Sequence, residues 1–270
     1  RDANGARVPR RNAGGYECVK VTRFTPHILP YFLEGPMHAL YQYSDIDQAR
    51  RAWNALRTTG LYDKPTKMYI CNVSLADESK ELGRSAGRPP SWSENQSVFM
   101  HMEYKYLLAT LKAGLYDEFF TDMRNCFPVF LDPSTYGRST LENSSYIHSS
   151  VHPRAQYIGR NMLPRLSGVN AEAVTMLCYM SFGPRPFTKE NGELRFALSP
   201  VLQSWVFTEQ EREETVVRWD NTVEKLIVPA HGYCAMFLGT IPVVYCNDSR
   251  AHTYGPDGVS PHRYELYYRE

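Results

Sequence analysis

The hydrophobic period of this chain changes once, and that change restricts the fold more than any other feature. Up to about residue 182 apolar side chains recur at helical spacing; from about 188 Leu194, Phe196 and Leu198 alternate with polar neighbours. Helices first and strands afterwards predict an α-then-β chain, not alternating α/β units.

The helical part has legible boundaries. Ser44 reads as an N-cap with Asp47 three residues on, and Ile46, Ala49, Trp53 and Leu56 follow at helical spacing until Gly60. Ser93 predicts the cap of a helix over 94–113, apolar nearly all round (Val98, Met102, Tyr106, Leu107, Leu111) and therefore enclosed by other elements. After Gly114, Tyr116, Phe119, Phe120, Met123 and Phe127 mark the next helix, closed by Pro128, and the short link predicts an αα-hairpin. A further apolar helix runs from Ala171 to Phe182 and stops at Gly183-Pro184. Strands are predicted at 204–208, 215–219, 223–228, 235–245 and 264–268. Residues 1–30 read as an irregular leader, and 61–92 and 132–168 as long loops, which in compact domains tend to carry function.

Composition narrows the function. Lys+Arg number 30 against 29 Asp+Glu, a formal charge of +1, which argues against a nucleic-acid partner. No apolar run reaches the ~18 residues that span a bilayer, so no membrane partner is expected. The Arg-rich start lacks the apolar core of a signal peptide, and the chain opens on Arg1 rather than Met, as a piece of something longer would. Cysteines 18, 71, 126, 178, 234 and 246 contain no CxxC pair and read as free thiols of a reducing, cytoplasmic compartment, with a Cys234–Cys246 bridge left open.

Several constellations carry chemistry. His148 and His152 form H-x-x-x-H, but Pro153 follows at once and no Glu follows His148, so two loop histidines are expected and no metal site. Nucleotide-binding glycine motifs and a nucleophile elbow are absent. Asp77, Glu78, Glu81 and Glu94 cluster around the 61–92 loop; a carboxylic acid there protonates a glycosidic oxygen if its pKa is raised, or else simply faces water. Between Tyr136 and Ser150, Arg138, Glu142, Asn143 and His148 stand among many hydroxyls, a density suited to a polyhydroxylated or anionic ligand, or to a self-bonding loop. Arg165-Leu166-Ser167-Gly168 precedes the last helix and offers N–H groups to an anion.

Three of these stretches resemble, in order, the C-terminal part of the cellobiose phosphorylase family of glycoside phosphorylases and its glucan-active relatives: Trp92-Ser-Glu-Asn-Gln-Ser-Val-Phe-Met-His, then Gly137-Arg-Ser-Thr-Leu-Glu-Asn-Ser-Ser, then Arg165-Leu-Ser-Gly. The resemblance spans about Phe32 to Tyr245. It implies the closing part of an (α/α)6 toroid over 31–187 and an antiparallel β-sandwich over 188–270. The implied reaction is inverting phosphorolysis of β-linked gluco-oligosaccharides to glucose 1-phosphate, with inorganic phosphate as co-substrate and no other cofactor. Phosphate is itself the nucleophile, so one acid suffices. The family's Asp-Trp-Asn-Asp acid motif has no counterpart in 72–84, where Asp77 or Glu81 stands nearest, with Glu94 as an alternative. The family's phosphate motif corresponds to Glu142-Asn143-Ser144-Ser145 leading to His148, one residue closer than the pattern, and to Ser167-Gly168, with Arg138 and Arg165 nearby. A homodimer is common among relatives. Phosphate-independent hydrolysis or transglycosylation on the same fold, and a non-catalytic carbohydrate-binding remnant, are the competing expectations.

Overall fold

The computed structural model describes residues 3–5, 7–18, 22–164, 167–218 and 220–267. The chain divides into Arg1–Pro30 and Tyr31–Glu270. The first unit holds one short antiparallel hairpin, β1 (Arg10–Arg11) with β2 (Glu17–Cys18), whose turn is closed by Asn12 Oδ1 accepting from the N–H groups of Gly14 and Tyr16.

The second unit is a mixed helix-and-sheet structure. Its elements are α1 (Glu34–Leu40), α2 (Ile46–Leu56), the two-residue hairpin β3 (Tyr62–Asp63) and β4 (Met68–Tyr69), β5 (Val98–Phe99), α3 (Met100–Lys112), α4 (Tyr116–Cys126), the single turn α5 (Pro133–Tyr136), β6 (Ser144–Ile147), β7 (Asn161–Pro164) and α6 (Ser167–Phe182). Three antiparallel hairpins follow: β8 (Phe187–Glu190) with β9 (Glu193–Phe196), β10 (Arg212–Val217) with β11 (Val223–Val228), and β12 (Gly232–Phe237) with β13 (Ile241–Cys246). No described helix is long and apolar enough to cross a membrane.

α3 is the centre of the core. Tyr104, Tyr106, Leu107, Leu108 and Leu111 are buried, and the helix packs against α1, α4, α6 and β6, as its all-round apolar pattern requires. α4 follows after Ala113–Leu115 and adds Phe119, Phe120 and Met123 to the same core. The last helix ends where Gly183 takes φ +82°, and a Cβ there would lie 2.6 Å from the Ser199 carbonyl oxygen, so the position requires glycine twice over.

Local hydrogen bonds move several boundaries from their predicted places. α2 is capped by Asp45 rather than Ser44: Asp45 is extended and its carboxylate accepts from Asp47 N at 2.9 Å. It ends at Leu56 instead of Gly60, because the Thr58 and Thr59 hydroxyls fold back onto the carbonyls of Ala55 and Leu56. Residues 94–97 are not helical; Ser93 caps nothing there, and α3 begins only at Met100 after the short strand β5. α6 starts at Ser167, a turn before Ala171. Residues 204–206 form a 3₁₀ turn instead of a strand, fixed locally by Trp205 Nε1 donating to Gln203 Oε1. The stretch 235–245 is two strands, because Leu238 and Gly239 both take positive φ and reverse the chain as a type I′ turn does. No strand forms at 264–267, and residue 268 lies outside the described residues. All six cysteines are free, and in the β12–β13 register Cys234 faces Val244 while Cys246 faces Gly232, so the open possibility of a bridge between them is not realised.

α3 and α4 also bury charge. Asp122 accepts from Arg57 Nη1 at 2.7 Å, Trp53 Nε1 at 3.0 Å and the Tyr69 hydroxyl at 3.0 Å. Burial pushes its carboxyl up, with Arg57 opposing the rise. Glu103 is 1% exposed; its Oε2 accepts from Tyr69 N at 3.0 Å, and its Oε1 has no hydrogen-bond partner among the described residues. Burial, aided by the nearby Asp122, holds the Glu103 carboxyl well above the usual carboxylate range. The folded state therefore keeps a proton that the unfolded chain releases above its own pKa of about 4.3. Stability falls as pH rises from there towards the folded pKa, by about 1.4 kcal/mol per pH unit. Glu103→Gln removes that slope: its thermal stability relative to the parent should rise between pH 5 and 7, measured by parallel melting curves.

Candidate functional site

The segment 91–97, Ser-Trp-Ser-Glu-Asn-Gln-Ser, is where the backbone is most strained. Ser91, Ser93 and Gln96 all have left-handed φ, at 60°, 52° and 55°. Each such residue costs on the order of 1 kcal/mol, so the surroundings must hold the loop in place.

What holds it is a buried polar network reached from two directions. Asn72, fully buried, accepts from Gln96 N at 3.0 Å through Oδ1 and donates through Nδ2 to Val73 O at 3.0 Å and Asn95 Oδ1 at 3.3 Å. Asn95 Nδ2 in turn donates to Arg88 O at 2.6 Å, and Cys71 N donates to Ser97 O at 2.9 Å. From the other side Ser149 N donates to Ser91 Oγ at 2.9 Å, and the Ser149 hydroxyl donates to Gln96 O. β5 then pairs with β6, and β6 with β7, in a three-stranded antiparallel sheet, so the loop and residues 148–150 leave the same sheet together.

The network presents Trp92 to solvent, 43% exposed, with its ring 6.1 Å from the His148 ring. His152 lies 4.5 Å from His148, and Tyr157 lies 5.0 Å from His152. His148 Nδ1 is 2.8 Å from the Ser91 carbonyl oxygen, which only accepts, so the proton sits on Nδ1 and Nε2 carries the lone pair. Burial lowers the His148 pKa, outweighing the Ser91 bond, and the ring is a neutral acceptor at pH 7. The His148–His152 pair has no further ligand: among the described residues no group of three or more His, Cys, Asp or Glu is placed to hold a metal ion. Cys71 is no nucleophile either, since burial pushes its thiol up to about 11.

The other candidate residues fall into separate places. Asn143 Oδ1 accepts from the Tyr104 hydroxyl at 2.8 Å, and its Nδ2 donates to Asn170 Oδ1 at 2.9 Å, joining the Asn143 stretch to the first turn of α6. Gly168 lies in that turn, and a Cβ on it would come within 2.5 Å of the His101 ring, whose Nε2 is 3.8 Å from Glu172. Asn143 and Gly168 thus belong to one neighbourhood, while His148 stands at the far end of β6, roughly 16 Å along the strand from Asn143. Arg138 pairs with Glu142 at 3.6 Å, both partly exposed. Arg165 lies outside the described residues, and of Ser167 only its place at the start of α6 is described. Asp77 and Glu81 are exposed, the latter on a 3₁₀ turn capped by Ser79. Glu94 gives one oxygen to Arg84 at 2.5 Å and the other to Arg88 at 3.3 Å.

Sequence reasoning missed Asn72, Asp63 and Ser149. Asp63 accepts from Ser150 N at 2.8 Å and Thr66 Oγ1 at 2.8 Å, which ties the β3–β4 turn to the histidine loop. No spacing rule reaches across 87 residues, and polar residues in an apparent loop gave no sign of burial.

Asn72→Ala strands the Gln96 N–H and frees the loop, and should destabilise by about 2–3 kcal/mol in denaturant titrations. Gly168→Ala should cost about 1–3 kcal/mol through the His101 clash, and His101→Ala in the same chain should recover most of it in a double-mutant cycle. No protein-family model matches the chain, and no curated protein is similar to it in sequence.

Proposed function

We propose that the chain binds β-linked gluco-oligosaccharides at the Trp92–His148 platform, as the C-terminal part of a glycoside phosphorylase-like protein. The observation that carries this reading is the strained 91–97 loop, held by the Asn72, Asn95 and Ser149 hydrogen bonds, which sets a half-exposed indole beside a neutral imidazole. A flat apolar ring face with a polar acceptor at its edge matches a pyranose, which offers an apolar C–H face and equatorial hydroxyls. His148 is only 5% exposed, so it meets the sugar through Nε2 alone, accepting from one hydroxyl, while the part-exposed His152 and Tyr157 rings extend the surface.

In this reading α1 to α6 are the closing part of an (α/α)6 toroid and the hairpins β8 to β13 belong to a β-sandwich. The resemblance of the 92–101, 137–145 and 165–168 stretches to glycoside phosphorylases supports phosphorolysis, with phosphate as the nucleophile. The anion then sits near Asn143, Gly168 and Arg138, where the bond to be cleaved must lie, and His148, at the other end of β6, serves a sugar residue further along the oligosaccharide. A second reading, sugar binding without turnover, draws on a specific observation: Asp77 and Glu81 face solvent and Glu94 is committed to two arginines, so the acid would have to come from outside this chain.

Titrating laminari- and cello-oligosaccharides while following tryptophan fluorescence and heat tests the reading. Trp92→Ala should weaken binding about tenfold or more. Binding should be level from pH 7 to 8 and fall on acidification below the ordinary histidine pKa of about 6.5, once His148 takes a proton on Nε2 and ceases to accept. Binding unaffected by Trp92→Ala would overturn the proposal; turnover dependent on phosphate would decide for phosphorolysis over the second reading.

A further inference from the structure

A concave site lies where the β3–β4 turn meets α4, and none of its residues belongs to the platform above. It is an open cleft of about 610 Å³, lined by Arg57, Tyr62, Lys64, Lys67, Arg124 and Gln203 among others, and no carboxylate lines it. In a chain of net charge +1, four cations around one cleft are a local excess.

The neighbouring acids do not neutralise it. Asp122 is spent on Arg57, Glu118 on Arg50 at 2.8 Å, and Asp117 on Gln203 and the Tyr254 hydroxyl. Lys64, Lys67 and Arg124 are exposed and form no ion pair among the described residues. Their placement is built rather than incidental. The turn Lys64-Pro65-Thr66-Lys67 is closed by Lys67 N donating to Asp63 O at 2.8 Å, and Lys67 takes φ 57° to do so. Across the cleft the Arg124 guanidinium lies 5.2 Å over the Trp205 ring. Arg57 is fixed between Trp53 and Tyr62, at 4.4 and 4.0 Å from their rings, and donates to the Tyr62 hydroxyl at 2.7 Å.

We infer that this cleft binds a phosphomonoester of sugar-phosphate size, gripped by Lys64, Lys67 and Arg124. Three cations without an ion-pair partner among the described residues line one volume, which suits a dianion better than a monovalent ion. The volume falls in the range of small-molecule pockets and far exceeds what phosphate alone fills, so the ester's sugar occupies the rest against Tyr62 and Gln203.

The test is calorimetric titration of the chain at low salt with glucose 6-phosphate, inorganic phosphate and glucose. In the Trp92→Ala variant, which removes the sugar platform, saturable binding is expected for glucose 6-phosphate, weaker binding for phosphate and none for glucose. Lys64→Gln, Lys67→Gln and Arg124→Gln should each weaken glucose 6-phosphate by about tenfold, and the triple variant should abolish binding. The three side chains are exposed, so the triple variant should keep the parent's circular dichroism and cooperative melt. Trp92→Ala should leave this affinity unchanged, which separates the site from the sugar platform. Affinity retained in the triple variant, equal binding of glucose, or binding of DNA or anionic vesicles that glucose 6-phosphate does not displace would each overturn the inference.

Discussion

One buried amide side chain, Asn72, carries the structural cost of the 91–97 loop. Three left-handed non-glycine residues in seven positions make that loop unfavourable in isolation. Asn72 offsets this by satisfying the Gln96 N–H, which would otherwise lie buried and unpaired, and by adding a second donor to Asn95 Oδ1. Asn72 is itself positioned from behind, by Leu33 N donating to Cys71 O and Val73 N donating to Tyr31 O, so the segment 31–33 supports the loop from outside. Exposure of Trp92, the start of β5 and the orientation of His148 follow from that support.

Charge is handled in two opposite ways. Beneath the helices, Asp122 and Glu103 are buried in a cage of tyrosines with one arginine, and the environment favours neutral or fully paired groups. At the surface above, Lys64, Lys67 and Arg124 stay hydrated and unpaired. Arg57 stands between the two regimes: its guanidinium lines the cleft, bonding inward to Asp122 and Tyr69 and sideways to Tyr62 on the cleft wall.

Much of the helical core was legible in the sequence because it is periodic. α4 lies where the spacing of Tyr116, Phe119, Phe120 and Met123 put it, and β11 coincides with the predicted 223–228. The errors fall where side chains outcompete the period. Asp45 displaced Ser44 as a cap, and the Asn72–Asn95 network kept 94–97 out of a helix that its composition otherwise suits. α1 was not anticipated because it contains Gly35 and Pro36, yet Pro36 lies in the first turn, where its missing N–H has no helical partner to lose. Of the candidate site, Trp92, Asn143, His148 and Gly168 were visible as motif residues. Their division into two neighbourhoods at the ends of β6 was not, since a strand separates by length what the sequence shows as adjacent.

Asp63 has a consequence for motion. Its carboxylate holds Ser150 between the two histidines and Thr66 inside the lysine-bearing turn, and its carbonyl closes that turn on Lys67 N. Unlatching either loop breaks bonds to this same residue, so one buried carboxylate anchors two surface loops whose sequences lie more than 80 residues apart.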